Sequence, residues 1–241
     1  MSVLVYTENW DGKFKKLSYE LVSYGAGVAG MINGSLTVLS IGKVDDEELK
    51  TLGSYGAQKI LSIDNENLKV FDSQAYASVI AEIATREKTT VIIIANNNSG
   101  KAVAPRLSVR LKAGIGSGVN KLPVNVNPFT VNKRAYSGNA FAHLVIKSDV
   151  KILTLAQNSF DPVTTPNNAI IEKADVSVDK SLIRTEVKEV LKQSGKLLLT
   201  DADIVVSGGR GMKSPDNWAP LLELAEALGA ATARKPGSRG R

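Results

Sequence analysis

The sequence contains no cysteine and a single histidine, His143. The lack of cysteine excludes disulfides, iron–sulfur clusters, cysteine zinc sites and thiol nucleophiles. A Ser-His-Asp triad would have to use His143, which lies in NAFAHLVIK, an alternating run that predicts a strand. We therefore interpret His143 as structural and predict no catalytic residue and no metal ligand. Any redox role then requires an organic cofactor.

Aromatic residues make up only 5% of the chain, and long hydrophobic runs are absent. No run approaches the ~20 apolar residues of a membrane span, and MSVLVYTENW lacks the basic start of a signal peptide. The net charge is +6, but the last eight residues, RKPGSRGR, hold four basic residues and leave +2 for the rest. We expect a cytoplasmic bacterial protein with no membrane insertion and no nucleic-acid partner. A basic-tailed nucleic-acid binder stays open as an alternative, which a steep salt dependence would favour.

The first hundred residues alternate between strand and helix patterns. Apolar runs predict strands, amphipathic periodicity predicts helices, and the run VIIIA, apolar on both faces, indicates a central parallel strand. The predicted strands are 2–7, 35–42, 57–64 and 89–96, and the predicted helices are 16–33, 45–56 and 72–87, the last capped by Asp72 or Ser73. This alternation predicts a doubly wound, mainly parallel α/β fold of the flavodoxin or nucleotide-hydrolase kind.

From Gly114 to about Val178 the hydrophobic period is mostly two. This predicts β-rich additions or an antiparallel extension, and VKILTLAQ is one of the runs that carry the pattern. The charged stretch 181–195 predicts an exposed final strand that leads into a linker. We expect an N-terminal domain at 1–190, a linker at 191–200, a second domain beginning at 201–232 and a basic, disordered tail at 233–241.

Two glycine motifs resemble nucleotide-binding loops but lack the position or the residues that such loops require. GAGVAG (25–30) matches the dinucleotide pattern, but it lies inside a helix rather than directly after a strand, which favours close helix–sheet packing. NNNSGKAVAP (96–105) has Ala95 and Ala102 where a P-loop needs glycine and serine or threonine. It still follows a buried strand, so it is expected at the carboxyl edge of the sheet, where ligands of such folds bind.

The third motif, VVSGGRGMKSPDNWAPLLELAEALG (205–229), reads as a strand, a glycine turn and a capped helix. Its glycines permit positive φ and close backbone approach, and Ser214, Pro215 and Asp216 suit a helix start. A helix N-terminus favours an anion, and Arg210 adds a planar fork for phosphate or a flavin ring. The alternative is a plain strand–turn–helix link with a solvated arginine. The candidate binding residues are Gly208, Gly209, Arg210 and Gly211.

This stretch, with SGKAVAPRLSVRLKAG (99–114) and AYSGNAFA (135–142), resembles the alpha subunit of electron transfer flavoproteins. The matches span almost all of residues 1–232. The resemblance implies FAD held mainly by the second domain, with Arg210 as the main contact and Gly208, Gly209 and Gly211 beside it. It also implies a heterodimer with a beta subunit. Such a pair is an electron carrier rather than an enzyme, taking electrons from flavin dehydrogenases, such as the acyl-CoA dehydrogenases of fatty acid beta-oxidation, towards a quinone reductase.

The sequence departs from that family after GAATA, where the family continues with further strands, helices and a Ser-Arg pair near the flavin. Here RKPGSRGR follows, which implies a C-terminally truncated flavin domain of one strand plus one helix. We expect weak or absent FAD binding. We also expect an apolar helix face that must dock on the first domain or on a partner, or else stay exposed to solvent. A cofactor-free interaction module that pairs with a beta-like subunit is the alternative. The helix face comprises Trp218, Leu221, Leu222, Ala225 and Leu228.

Overall fold

The computed structural model describes residues 1–183, 186–189, 199, 202 and 204–234. It divides into two compact units, Met1–Val187 and Lys188–Arg241. The predicted linker at 191–200 and the predicted tail beyond 234 fall almost wholly outside the described residues, so the predicted domain bounds stay a prediction. No helix within the described ranges is long and apolar enough to cross a membrane.

The first unit is an α/β structure with twelve strands and four α-helices. The strands are β1 (Ser2–Thr7), β2 (Asn9–Trp10), β3 (Lys13–Phe14), β4 (Ser35–Ile41), β5 (Lys59–Ile63), β6 (Val91–Ala95), β7 (Gly114–Val119), β8 (Asn125–Val126), β9 (Phe129–Ala135), β10 (Ala140–Val145), β11 (Lys151–Leu155) and β12 (Ile170–Lys173). The helices are α1 (Lys16–Met31), α2 (Asp46–Gly53), α3 (Ser73–Arg86) and α4 (Asn98–Leu111).

Ten of these strands form one sheet in the order β10-β9-β7-β11-β6-β1-β4-β5-β12, with β8 paired to β9. From β7 to β12 all neighbours are parallel, and only β8, β9 and β10 are antiparallel. Strand β6 lies between β1 and β11, and all five of its residues are buried, as the apolar run VIIIA predicts. The doubly wound, mainly parallel fold with a β extension is confirmed.

Each face of the sheet has its own hydrophobic core. The first core packs α1 and α2 against side chains such as Val5, Val38 and Ile93. The second core packs α3 and α4 against the alternate side chains, such as Leu4, Leu39 and Ile92. Because successive residues of a strand point to opposite faces, a strand buried on both faces has to be apolar throughout.

Local sequence explains two of the helices. Asp72 caps α3, since its carboxylate accepts hydrogen bonds from the N–H groups of Gln74 and Ala75 at 2.8 and 3.0 Å. In α1, a Cβ on Gly25 would lie 2.5 Å from Val5 Cγ2, and one on Gly27 would lie 2.8 Å from Leu122 Cδ2. The packing interpretation of GAGVAG is therefore confirmed.

VKILTLAQ forms a strand, as the prediction of β-rich additions requires, but the antiparallel alternative is wrong for this run. VKILTLAQ does not extend the sheet in antiparallel fashion, because β11 lies between β6 and β7 and is parallel to both. Four of its five residues are buried. The strand is therefore buried on both faces of the sheet and not on one face alone. The true extension consists of β8, β9 and β10.

After β11, in the middle of the sheet, the chain passes four strands to form β12 at one edge. We call residues 156–169 the strap. Its backbone is held by side chains of α1, since the Asn158 N–H donates to Glu20 Oε2 at 3.0 Å and the Val163 N–H donates to Ser23 Oγ at 3.0 Å. Further along, the Thr165 N–H donates to the carbonyl of Ser54 at 2.8 Å.

The predicted strand at 181–195 is not present in the described residues. Lys180–Leu182 form a 3₁₀ turn, and 183 and 186–189 have no strand. The 3₁₀ turn begins after Asp179, whose carboxylate accepts from the Ser181 N–H at 2.9 Å. This capping interaction competes with extended backbone. The other residues of the predicted strand lie outside the described ranges.

The second unit contains one more strand than predicted. Strand β13 (Val205–Gly208) is followed by helix α5 (Ala219–Ala227) and then by β14 (Ala231–Arg234), which is parallel to β13. The expectation of a single strand is therefore wrong, and the described start of the predicted tail, 233–234, is part of β14. Thr232 supplies the β-branched residue that strands favour, within the run of small residues GAATA that precedes the polar and basic end of the chain.

Candidate functional site

The glycine turn lies directly after β13. Its backbone forms a 3₁₀ turn at Arg210–Met212, in which the Met212 N–H donates to the Gly209 carbonyl at 3.1 Å. A second 3₁₀ turn, Pro215–Trp218, follows and leads into α5. Asn217 links the two turns, since its side-chain amide donates to the Met212 carbonyl at 2.8 Å. The turn is thus positioned at the tip of a strand by a short helical segment.

The predicted helix start differs in one respect. Ser214 precedes and Pro215 begins a 3₁₀ turn rather than an α-helix, and α5 begins only at Ala219, after Trp218, without a side-chain cap. Pro215 fits the first position of either kind of turn, because its fixed φ and missing N–H suit both. The dipole of α5 therefore begins further from the glycine turn than predicted.

The glycines of the turn do not share one explanation. A Cβ on Gly208 would lie 2.9 Å from the Trp218 ring and 3.0 Å from Leu221 Cδ1, so packing of the second unit accounts for this glycine. A Cβ on Gly209 or Gly211 would meet nothing within 4 Å. None of the three has a φ between +20° and +160°, so the prediction that they provide positive φ is wrong.

Among the described residues, neither packing nor backbone conformation requires glycine at positions 209 and 211. Both are exposed, at a strand tip that turns into a helical segment. Two such glycines leave room for another group to approach the backbone closely. A Cβ at either position would occupy that space.

Arg210 belongs to the first 3₁₀ turn, which fixes its backbone. Its side chain lies outside what the structure describes, so its contact with a cofactor stays a prediction. The two glycines on either side of it are the part of the predicted site whose surroundings the structure does describe.

The carboxyl edge of the large sheet, where NNNSGKAVAP was predicted, is filled by protein groups. Asn97 caps α4 by accepting from the Gly100 N–H at 2.9 Å, and its amide donates to Glu8 Oε2 at 2.9 Å. A Cβ on Gly100 would overlap the carbonyl of Ala95. Glu8 and Asn97 therefore close the crevice between β1 and β6, where the direction of strand order reverses.

Sequence reasoning missed the role of Glu8. Burial raises the pKa of Glu8, while the hydrogen bond from Asn97 acts in the opposite direction. An ionised carboxylate beside the start of α4 opposes the binding of an anion there. A signal was present in the sequence, because Glu8 follows the first strand directly and therefore lies at the edge where ligands bind in such folds.

His143 lies on β10, as predicted, and pairs across the sheet with Asn132 of β9. The structure places it far along the sheet from Glu8, since four strands separate β10 from β1. It does not join the groups at the carboxyl edge between β1 and β6. The prediction that His143 lies in a strand is confirmed.

The family models match nearly the whole chain in two parts. The model described as electron transfer flavoprotein domain matches residues 3–179, and the model described as electron transfer flavoprotein FAD-binding domain matches residues 198–238. The chain belongs to the electron transfer flavoprotein alpha-subunit family. The second match contains the glycine turn and both strands of the second unit.

Individual relatives support this assignment. The chain is 30% identical to electron transfer flavoprotein subunit alpha of Bacillus subtilis, over 98% of this chain and 72% of the relative. It is 31% identical to Protein FixB of Clostridium saccharobutylicum, over 96% of this chain and 70% of the relative. It is also 27% identical to the lactate dehydrogenase (NAD(+),ferredoxin) subunit LctC of Acetobacterium woodii, over 98% of this chain and 57% of the relative.

The residues of the turn fit the cofactor that the family implies. The open space beside Gly209 and Gly211 allows a charged or planar group to reach the backbone. FAD offers both, a pyrophosphate and a flavin ring. Gly208 does not contribute to that space, since Trp218 and Leu221 already occupy the position that its Cβ would take.

Proposed function

We propose that the chain is the alpha subunit of a two-subunit electron carrier that holds FAD at the glycine turn of its second unit. The carrier accepts electrons from flavin dehydrogenases, such as acyl-CoA dehydrogenases, and passes them towards a quinone reductase. It works in the bacterial cytoplasm and makes no covalent bonds in its substrates. FAD, when bound, supplies the redox chemistry.

The observation that carries the proposal is the pair Gly209 and Gly211. They are open to another group, exposed, and required by no contact within the described residues. They also lie inside the region that matches the FAD-binding domain of the family. Arg210, between them, is the residue we propose as the main contact, because its guanidinium is always charged and donates in a planar fork.

The chain's own residues bind and orient the cofactor in this proposal. The Arg210 fork donates hydrogen bonds to an anionic or carbonyl oxygen of the cofactor, and the two glycines let the backbone come close. Trp218 and Leu221 pack on Gly208 and hold the turn at the end of β13. The first unit supplies the surface for the beta subunit.

The 241-residue polypeptide alone is expected to bind FAD weakly. One charge-assisted hydrogen bond contributes about 1.5–3 kcal/mol, and a helix N-terminus adds about 0.3–1 kcal/mol. Micromolar affinity requires about 8 kcal/mol. We expect the contacts of residues 205–234 to fall short of that value, and the beta subunit to supply further contacts.

Titration with FAD, followed by flavin fluorescence, tests the proposal with the chain alone and with the co-purified beta subunit. In the pair, Arg210→Ala should weaken FAD binding by about 10- to 150-fold, which corresponds to one charge-assisted hydrogen bond. Gly209→Ala and Gly211→Ala should also weaken it. Gly30→Ala is the matched control, since Gly30 also has open space around it and lies in α1.

A pair that binds no FAD would overturn the proposed cofactor role and favour the cofactor-free interaction module. The observation on which that second candidate rests is the exposure of Leu222, Leu224 and Leu228 along and just after α5, at 48–50% each, since exposed leucines favour contact with another surface. Unchanged FAD binding in Arg210→Ala would assign Arg210 to the solvent-exposed surface.

A further inference from the structure

Charge is distributed very unevenly along the first unit. The 61 residues from Lys88 to Ser148 contain nine lysines and arginines and no aspartate or glutamate. Residues 1–87 contain twelve acidic and eight basic residues, and residues 149–187 contain six acidic and four basic residues. The sequence analysis attributed the net positive charge to the C-terminal tail and missed this acid-free segment. Within the first unit, only this segment has an excess of cations.

Helix α4 and its C-cap residue carry four of these cations on the outer face of the helix. The inner residues Val103, Ala104 and Leu107 are buried in the second core, and the outer residues are exposed. Val109 lies among the cations and is 81% exposed. We call the outer residues the basic face; they are Lys101, Arg106, Val109, Arg110 and Lys112.

Two of these cations lie where they do not help the helix. Arg106 and Arg110 are four residues apart, so they are neighbours on the helix surface, and like charges at this spacing repel each other. Lys101 is the fourth residue of α4, close to the positive end of the helix dipole, which disfavours a cation. Helix stability therefore explains Arg110, which lies in the last turn, but not Lys101 or Arg106.

The basic face has no counter-charges in the part of the chain that the structure describes. Its cations form no ion pair there with a carboxylate, whereas Lys13, Lys59 and Lys69 elsewhere in the unit do. The field of the face is therefore directed to the solvent, where it attracts anionic groups of other molecules.

A groove of about 550 Å³ between α3 and α4 adjoins the basic face. Arg86 of α3 and Arg110 of α4 line it, and Glu82 is the acidic residue in its lining. Arg86 Nε also lies 3.9 Å from Glu87 Oε1. The planar guanidinium groups suit the oxygens of a phosphate, so the groove offers a place for a phosphate headgroup.

The composition of the basic face favours an anionic lipid surface over a nucleic acid. The face contains no aromatic residue on which a base could stack. Val109 offers an apolar side chain that fits the boundary between headgroups and acyl chains. Anionic headgroups attract each nearby lysine or arginine without requiring an exact arrangement of the cations, and the basic face spreads its cations along a convex helix.

We propose that the basic face adsorbs to the surface of a membrane that contains anionic lipids. The four cations lie near headgroup phosphates, Val109 reaches the acyl boundary, and α4 stays folded on the sheet without entering the bilayer. The excess of acidic residues in 1–87 is repelled, which helps to orient the unit with α4 towards the lipid. This inference goes beyond the proposed function and requires neither FAD nor the beta subunit.

Co-sedimentation of the 241-residue chain with vesicles tests the inference. Vesicles of equal parts phosphatidylglycerol and phosphatidylcholine should bind the chain, and vesicles of phosphatidylcholine alone should not. Arg106→Glu and Arg110→Glu should each lower the partition coefficient on the mixed vesicles by about 5- to 25-fold, because a lost cation costs about fivefold and the new carboxylate is repelled. Val109→Ser should lower it by a smaller factor.

Two matched variants control for net charge and for apolar surface. Lys50→Glu makes the same charge reversal on α2, which packs on the opposite face of the sheet. Val163→Ser changes a valine that is 55% exposed on the strap, which is held by α1. Both controls should bind the mixed vesicles nearly as well as the unsubstituted chain does. The basic residues of 234–241 are present in every variant, and thermal unfolding shows that each variant is folded.

Salt provides a second measurement. Binding to the mixed vesicles should weaken between 0.1 M and 1 M sodium chloride, since the Debye length shortens from about 10 Å to about 3 Å. The salt dependence should be smaller in Arg110→Glu. Equal losses of binding in Arg110→Glu and Lys50→Glu would overturn the inference, and so would equal binding to the mixed and the neutral vesicles.

Parallel titrations with polyuridylate and poly-L-glutamate separate a lipid surface from other anionic partners. If the chain binds either polymer but not the mixed vesicles, and Arg110→Glu weakens that binding, the face belongs to a nucleic acid or to an acidic protein and the inference is overturned. Failure of the proposed function is a separate outcome, since a chain that binds no FAD should still bind the mixed vesicles.

Discussion

The two units of the chain bury very different side chains. The first unit encloses large residues that are completely removed from water, including Leu4, Leu39 and Tyr24, in two cores on either face of one sheet. In the second unit the buried hydrophobic residues of the described part are three alanines, Ala202, Ala225 and Ala231. Burial of a leucine side chain contributes about 1.5–3 kcal/mol, and an alanine contributes much less.

This difference shows that similar elements do not give similar stability. Both units contain parallel strands joined by a helix, but the second has one helix on a two-stranded sheet. Leu222, Leu224 and Leu228, along and just after α5, are exposed. No described residues bury them in the way that the second core of the first unit buries its leucines. The first unit is a complete domain, and the described second unit is stable only with further cover.

The largest expected effect comes from separating the units. Residues 1–187 produced alone should unfold in one cooperative transition, and residues 188–241 alone should show no cooperative transition. Circular dichroism during thermal unfolding measures both. In the intact chain, limited proteolysis should cut first between 191 and 201 or beyond 234. Early cleavage between 70 and 95 would contradict the comparison, because β6 and α3 are fully packed.

A core truncation is the next largest effect. Leu39→Ala should lower the free energy of unfolding of the first unit by about 2–5 kcal/mol, through lost burial and the cavity left behind. Leu222→Ala removes the same atoms from a leucine that is 50% exposed and should cost well under half as much. Urea denaturation of the 241-residue chain gives both values. Equal losses would mean that Leu222 is buried by a surface other than those described.

Glycine substitutions should change the free energy of unfolding by smaller amounts, and they also contrast a tightly packed position with an open one. Gly25→Ala forces a Cβ to within 2.5 Å of Val5 Cγ2, and such overpacking costs about 1–3 kcal/mol. Gly30→Ala in the same helix meets nothing within 4 Å and should stabilise by about 0.5–1 kcal/mol. Urea midpoints compare the two variants. A loss of stability in Gly30→Ala equal to that in Gly25→Ala would contradict the close contact of α1 with the sheet.

The smallest expected effects are dependences on pH, with opposite signs at two carboxylates of the first unit. Burial raises the pKa of Glu8 above its ordinary value of 4.5, so its contribution is full at low pH and is lost as pH rises through the raised value. Hydrogen bonds from the Phe14 N–H and Lys13 lower the pKa of Glu48, so its contribution is present at neutral pH and is lost as pH falls.

Unfolding midpoints between about pH 3 and pH 8, a range that brackets the ordinary glutamate pKa, test these two signs. Glu8→Gln should gain stability relative to the unsubstituted chain as pH rises, and Glu48→Gln should lose stability relative to it as pH rises. Each substitution removes a titration and leaves a side chain of similar shape. Parallel curves for both variants and the unsubstituted chain would contradict the environments assigned to Glu8 and Glu48.

The sequence predicted the parts of the fold in which local chemistry and burial agree. Asp72 capped its helix because a cap depends on its immediate neighbours. The run VIIIA became a central strand and Gly25 packed α1 on the sheet, because an apolar run and a missing side chain each indicate close packing whatever the partner is. The position of β11 could not be predicted, since a strand's place in a sheet depends on partners far away in sequence. Strand β14 was missed because its four residues, mostly small, do not form a hydrophobic run. Its pairing with β13 could not be read from the sequence.

The candidate site was predicted only in part. The sequence pointed to Gly208–Gly211 as one binding turn and did not distinguish the glycine that packs from the glycines that leave open space. Gly208 serves packing because Trp218 and Leu221 return to it from ten and thirteen residues later, and no local pattern indicates that return.

The strap couples an edge strand to the docking of two helices. Residues 156–169 run from β11, in the middle of the sheet, to β12 at its edge, and they are held by groups of α1 and by the turn after α2. Strand β12 has only β5 to pair with. Release of either helix would therefore also loosen the strap, and we expect the amide hydrogens of β12 to exchange with solvent faster than those of the central strand β6.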